Sequence, residues 1–403
     1  MRVLHVIPAV ATRYGGPSDA VLRMCRALEA RGIRAVIATS DADGPERLPV
    51  TCGTEQIYQG VRTIFFSRVD ERFKYTPSLP VWLSDNCRRF DVVHVHAVFS
   101  HASLAAARVC RRERVPYVLR PLGSLDPWGL GRNRVQKRVL RLVAVDRMLR
   151  DAGAVHFTTD EERRLAEQSF RGLRSVVIPL GVDDELLERP MSSFEDRPSL
   201  VLTIGRLHPV KNLESVIQAF RAATSNERHR HWRLVIAGDG DPTYRRSLEA
   251  LAAAEIAAGR ITFPGWVSGQ DKLDLLDRAS LVVQASHQES FGLSMLEAMA
   301  RGVPVIASRT VNLADEVVGA GAGWVVGTDQ ATLAKSLGDA MDDQDGRRRR
   351  GVAARAAAER FAWSEIATTL ERLYSNLQTG LAPVTLMSPH ESAPMVRPGK
   401  RAL

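Results

Sequence analysis

Two glutamates, two cations and a pair of glycines mark where this sequence could do chemistry. Glu289 and Glu297 bracket the segment Glu289-Ser-Phe-Gly-Leu-Ser-Met-Leu-Glu297. It follows the apolar run SLVVQAS and opens the helical pattern GLSMLEAMA. A helix starting there leaves the amides around Phe291, Gly292, Leu293 and Ser294 without intrahelical partners. Those amides and the helix dipole form a ready anion site. Glu297, two turns in, could reach a diol such as a ribose. Glu289 falls in the loop at the strand's carboxyl end, where open α/β sheets bind ligands. Singly, Glu289 reads better as a cap of the helix N-terminus and Glu297 as a surface charge; the constellation points to a site. Arg206 and Lys211, in IGRLHPVKN, follow another apolar strand. Two cations there can hold a diphosphate leaving group, whose growing charge catalysis must stabilise.

Gly15 and Gly16, in Tyr14-Gly-Gly-Pro-Ser18, sit between a strand and a helix. Paired glycines let the backbone approach a phosphate or sugar closely. The motif is neither a Walker loop nor GxGxxG, so an NTPase or a dinucleotide enzyme lacks its fingerprint. His94 and His96 alternate in one strand and share a face. His94 reads as core, and His96, nearer the carboxyl end, as a cleft residue. Asp41 with Asp43, and Asp239 with Asp241, have the spacing of metal carboxylates but lie in turns where such residues are common; no metal site is expected. Phe263-Pro-Gly-Trp-Val267 ends a strand where Val267 could offer backbone groups to a flat base.

These residues need a scaffold, and the chain supplies one twice. Apolar runs at 3–10, 35–39, 61–66, 91–97, 116–121, 154–159 and 175–181 alternate with helical patterns. Among those patterns are 17–30, 80–89, 103–112, a basic helix over 136–151, and 160–170. A second alternation runs from the strand at 200–205, and includes a single helix predicted over 243–257. Buried strands alternating with helices predict a parallel sheet covered on both faces. The fold class is therefore α/β: two doubly wound, Rossmann-like domains facing across a cleft. The first domain spans 1–183. A polar, Pro-containing linker follows at 184–199, then the second domain at 200–360, a final helix at 361–378 and an aperiodic tail at 379–403.

The 403 residues are 45% hydrophobic and 25% charged, which excludes disordered, collagen-like and coiled-coil classes. Four dispersed cysteines suit a reducing compartment and make no zinc pattern. The apolar start MRVLHVIPAVA reads as a strand rather than a signal peptide. The whole net charge of +9 resides between Arg108 and Arg150, where twelve cations meet three carboxylates. Such a field suits an anionic partner or is a solvated helix face. It lacks the aromatic interleaving of a nucleic-acid surface, so no nucleic-acid partner is expected.

At the residues above, the chain resembles the retaining glycosyltransferases of family 4, which have the GT-B fold. ESFGLSMLEAMARGVPVIAS, GRLHPVKN, LVIAGDGDP, VIPLGVD and YGGPS occur in the family's order. The resemblance implies a nucleotide-diphosphate sugar as donor substrate, with no cofactor and no metal. It implies that Arg206 and Lys211 contact the diphosphate, Glu297 the ribose and Glu289 the donor sugar. Amides from Phe291 to Ser294 then serve the sugar and phosphate, Gly16 the phosphate side, and Val267 the base. HVHAVFS and VPYVLRPLGSLDPWGL resemble a bacterial subgroup that builds surface polysaccharides on lipid-linked carriers. The resemblance thus implies a glycan or lipid-linked acceptor, a cytoplasmic enzyme, and docking of the basic segment on an anionic inner membrane face. One position departs: Leu122 stands where the subgroup commonly has a histidine. His96, Arg120 or Asp126 would then serve the acceptor, or the donor phosphate would take the proton. A GT-B-shaped epimerase or phosphorylase and an inactive nucleotide-binding paralogue are the competing readings.

Overall fold

The computed structural model describes residues 1–71, 73–126 and 144–381. The start of the expected basic helix, part of the basic segment (127–143), and the tail from 382 lie outside them. The first sheet is built from β1 (Arg2–Ala9), β2 (Arg34–Ser40), β5 (Glu55–Tyr58), β6 (Val61–Phe66), β7 (Val92–His96), β8 (Tyr117–Arg120), β9 (Ala154–Phe157) and β10 (Ser175–Val177). Two short strands, β3 (Ala42–Asp43) and β4 (Glu46–Arg47), form a separate hairpin. The eight strands run in the order β10-β9-β8-β7-β1-β2-β6-β5. All pairs are parallel except β5 with β6. The sequence reading missed β5, because Glu55-Gln-Ile-Tyr58 is a polar edge strand with no apolar run. The helices are α1 (Gly16–Ala30), α2 (Ser78–Asn86), α3 (His101–Glu113), α4 (Asp146–Asp151) and α5 (Asp160–Glu167). Ser100 and Thr159 cap α3 and α5, accepting from the amides of Ser103 and Glu162.

The second sheet is wholly parallel, in the order β13-β12-β11-β14-β15-β16. Its strands are β11 (Leu200–Ile204), β12 (Arg233–Ala237), β13 (Ile261–Gly265), β14 (Leu281–Gln284), β15 (Val305–Ser308) and β16 (Gly323–Val326). Between the sheets lies α6 (Asp184–Glu188); the domain then carries α7 (Leu213–Ala223), α8 (Pro242–Leu251), α9 (Ala253–Ala257), α10 (Gly269–Arg278), α11 (Leu293–Ala300), α12 (Ala314–Ala320), α13 (Gln330–Asp342) and α14 (Gln344–Ala358). The single helix expected over 243–257 is two, broken at Ala252.

The expected linker is not a free tether. α6 occupies its start, with Leu186 buried. The guanidinium of Arg301, 1% exposed, donates to the carbonyls of Leu186, Arg189 and Pro190. The last helix, α15 (Trp363–Gln378), returns to the first domain and packs on α1. The two crossings are bonded to each other: Val182 donates to Phe361 O at 2.7 Å, and Trp363 to Val182 O at 3.1 Å.

Candidate active site

The residues expected on the donor side meet at the carboxyl ends of β11 and β14, neighbours in the sheet. Lys211 lies beyond β11 and Glu289 beyond β14, and the two form an ion pair. The side-chain amide of Gln284, the last residue of β14, also donates to Glu289 Oε2 at 2.9 Å. His287 N donates to Val210 O at 2.8 Å, lacing the two loops together. Asn312 N donates to Glu289 O at 3.0 Å, fixing the loop from the other side. Arg206 is exposed at the end of β11.

Gly292 caps α11 with φ 104°, a left-handed conformation that lets the chain turn sharply into the helix. A Cβ there would lie 3.2 Å from Val311 and 3.4 Å from the Gln284 amide oxygen. No side chain caps this terminus. The amides of Leu293 and Ser294, its first two residues, therefore have no side-chain cap. Phe291 is not at the surface: its ring is buried against Phe361, and only its backbone is in play. Val267 is half-buried just past β13, beside the exposed Trp266.

Glu297 is buried, not a surface charge. Lys272 of α10 reaches its Oε2 at 2.5 Å, and Arg23 of α1 its Oε1 at 3.5 Å. Arg23 also pairs with Asp19 and Asp183. One guanidinium thus joins the first domain, the crossing and the second domain; nothing in the sequence pattern singled out Arg23 or Lys272. The glycine turn faces the same cleft. Gly15 has φ 74°, and a Cβ on Gly16 would lie 3.6 Å from Leu293.

Where the acceptor was expected, Leu122 and Gly123 both take left-handed conformations, φ 58° and 70°. The buried carboxylate of Glu162 accepts from Gly123 N at 2.7 Å and from Thr158 N and Oγ1 at 2.8 Å. Burial pushes the Glu162 carboxyl up, against the pull of those donors and of Arg120. A Cβ on Gly123 would lie 2.4 Å from Ser290 Oγ, and Gln288 donates to Asp126 Oδ2. Of the three groups considered in place of a histidine at 122, Asp126 contacts the second domain.

His96 does not lie in the cleft. It is fully buried, with its Nε2 3.0 Å from His5 Nδ1. It ends β7 as expected, but its side chain points to the sheet face covered by α1 and α15. His5, His94, His96, Arg120 and His156 form a polar layer there, all at most 2% exposed. His5 pairs in register with His94, and His96 with Arg120. Three of the imidazoles, His5, His94 and His96, bring ligand atoms within 4.8 Å of one another. Hydrogen bonding argues against a metal there. His156 Nε2 lies 2.7 Å from the carbonyl of Ile178, so it carries the proton. His156 Nδ1 then accepts from His94 Nε2 at 3.3 Å, and His94 Nδ1 accepts from the Tyr374 hydroxyl at 2.8 Å. His94 has no lone pair left to give. Arg120, with Nε and Nη1 unpartnered, adds a repelling charge. Burial holds His5 and His156 at about 3, Arg120 adding to the effect, and His94 and His96 are also pushed far down.

The aspartate pairs are turn and cap residues. Asp41 holds Arg47 and the amide of Arg68, Asp43 pairs with Arg13, and Asp241 caps α8. Among the described residues no helix is long and apolar enough to cross a membrane.

Comparison with known proteins gives the following matches. Residues 185–357 match the family described as glycosyl transferases group 1, and residues 15–181 the glycosyl transferase 4-like domain. A D-inositol 3-phosphate glycosyltransferase of Xylanimonas cellulosilytica is 31% identical over 314 residues, covering 71% of this chain and 72% of that protein. The sucrose-phosphate synthase of Thermosynechococcus elongatus superposes with a TM-score of 0.74 at 22% identity, over 94% of this chain and 99% of that one. The Anabaena protein HepE, solved with UDP-glucose, gives 0.73 at 19% identity, over 93% and 100%.

Proposed function

This chain belongs to the GT4-type glycosyltransferases of GT-B fold, and we propose that it moves a sugar, with retention, from a nucleotide-diphosphate donor to a glycan or lipid-linked acceptor. The observation that carries the reading is the Lys211–Glu289 pair beside the uncapped start of α11. As the bond from the sugar's C1 to the diphosphate breaks, negative charge grows on the leaving oxygen. Arg206, Lys211 and the first amides of α11 are the groups that stabilise it. They supply positive charge in fixed positions, so the reaction is proposed to be metal-independent. Glu289, oriented by Lys211 and Gln284, takes a hydroxyl of the donor sugar. Glu297, oriented by Lys272 and Arg23, takes the ribose hydroxyls. The backbone at Val267 flanks the base, and Gly16 lets the first domain approach the phosphates.

The acceptor enters from the first domain, past Leu122 and Asp126. Leucine cannot take a proton, so the departing phosphate oxygen is the proposed proton acceptor, on the same face as the incoming hydroxyl. Surface-polysaccharide synthesis on the inner membrane face stays a proposal resting on the sequence resemblance and on the basic segment. The relative named for D-inositol 3-phosphate adds that compound to the acceptors to screen, and the UDP-glucose complex of the Anabaena protein supports a uridine donor as the first to try.

The test incubates the protein with UDP-glucose and a panel of acceptors, with and without a chelator, and follows products by mass spectrometry and anomeric NMR. Chelator-insensitive transfer with the donor's anomeric configuration supports the proposal. An isomerised nucleotide sugar would make the chain an epimerase. Nucleotide binding without turnover on any donor or acceptor would make it an inactive paralogue.

A further inference from the structure

The candidate site occupies the carboxyl edge of the second sheet. A separate cavity lies at the opposite, amino edge. Ser199, Trp232 and Ser280, the residues immediately before β11, β12 and β14, form its floor. Its volume is about 270 Å³, near the lower end for small-ligand pockets.

Three arginines line it. Arg197 is 8% exposed; its Nη atoms donate to the carbonyls of Ala279, Arg301 and Gly302, while its buried Nε has no partner. Its guanidinium lies 4.8 Å from the centre of the Phe194 ring. The Arg347 guanidinium lies 5.1 Å from the centre of the Trp232 ring. Arg228 stands at the rim, its side chain 71% exposed. Two carboxylates share the lining, and both are engaged. Asp342 accepts from His229 Nε2 at 2.9 Å, with Arg228 at 3.9 Å. Glu195 holds the Ser193 hydroxyl and Arg348. Arg347 also begins a run of four arginines near the amino end of α14. Its Nη1 donates to the carbonyls of Ala340 and Met341 at the end of α13, at 2.5 and 2.8 Å, which fixes the guanidinium at the cavity wall.

We propose that this cavity binds a phosphate monoester of sugar size, its phosphoryl group taken by Arg228 and Arg347, with the buried charge of Arg197 behind them. Planar guanidinium forks match phosphate oxygens, and the Trp232 face holds the Arg347 fork in orientation. The concave floor admits one small molecule rather than a duplex or a membrane.

The test is calorimetric titration of the full chain with inorganic phosphate and with a hexose 6-phosphate. It uses wild type, Arg228→Ser, Arg347→Ser and Lys211→Ala. The hexose phosphate is expected to bind wild type and Lys211→Ala alike, and each arginine variant at least tenfold more weakly. The Arg228 side chain is mostly exposed, so its replacement leaves the fold intact. Absence of binding to wild type at millimolar ligand overturns the proposal. So does binding lost in Lys211→Ala but kept in Arg228→Ser, which would put the phosphate in the donor site. Inorganic phosphate binding as tightly as the ester overturns the assignment to an ester. None of these readouts depends on sugar transfer.

Discussion

Glu289 and Lys211 hold each other at the mouth of the donor site, about four-fifths buried on both sides. Removing either therefore strips the other of its counter-charge. Glu289→Ala is expected to leave nucleotide affinity nearly unchanged and to lower turnover by roughly 10²–10³, the scale of losing one group aimed at the reacting centre. Steady-state kinetics beside calorimetry separates the two effects. Lys211→Ala is expected to weaken nucleoside-diphosphate binding about tenfold or more, since a hydrogen bond to a charged group is worth ~1.5–3 kcal/mol. Wild-type affinity and turnover in both variants would remove the site assignment. Both residues were legible in the sequence because each follows an apolar strand. Their contact was not, since it depends on β11 lying beside β14. Leu122 adds a different cost. Its left-handed backbone disfavours any side chain, so Leu122→Gly is expected to raise stability by about 1 kcal/mol, read as an upward shift in Tm. The same change tests whether the leucine side chain matters to the acceptor.

The histidine layer shows where reading elements from sequence succeeds and where it stops. Alternation in β7 placed His94 and His96 on one face, and that holds. Which face, and what covers it, depended on the return of α15, which no local pattern announces. The polar edge strand β5 and the docked α6 escaped for the same reason: tertiary partners define them, not apolar periodicity. The layer also makes a prediction about pH. All four histidines have folded values far below the ordinary 6.5, so below that pH the unfolded chain binds protons that the folded chain refuses. Their contribution is fully present above about pH 6.5 and is lost as pH falls through the folded values, about 3 for His5 and His156. Each histidine then costs about 1.4 kcal/mol per pH unit. Urea midpoints measured from pH 8 to pH 5 are expected to drop steeply below 6.5; a flat profile would mean the imidazoles are not held neutral. Tyr374→Phe deprives His94 Nδ1 of its donor and is expected to cost about 1–3 kcal/mol.

At the scale of the whole molecule, Arg23 joins three parts at once. Its contact with Glu297 spans the cleft, while those with Asp19 and Asp183 anchor it on the near side. Arg23→Ala is expected to loosen closure, raising the radius of gyration in small-angle scattering and the KM for donor, with kcat less affected. An unchanged scattering profile would mean closure rests on the other contacts, among them Gly123–Ser290, Gln288–Asp126 and Gly16–Leu293. The two-domain plan was legible from the doubled alternation of strands and helices. The last helix's destination was not, because its apolar face is compatible with either domain. That destination shapes how the protein comes into being. The covering of the first sheet's histidines, Trp363 to Tyr374, is translated only after the entire second domain. At 5–20 residues per second, about 10–40 s pass between the emergence of Val182 and that of its bonded partner Trp363 and the helix beyond. For that interval the histidine face of the nascent first domain lacks its α15 covering. A messenger interrupted near codon 360 would release a chain whose second half is finished and whose first half never closes.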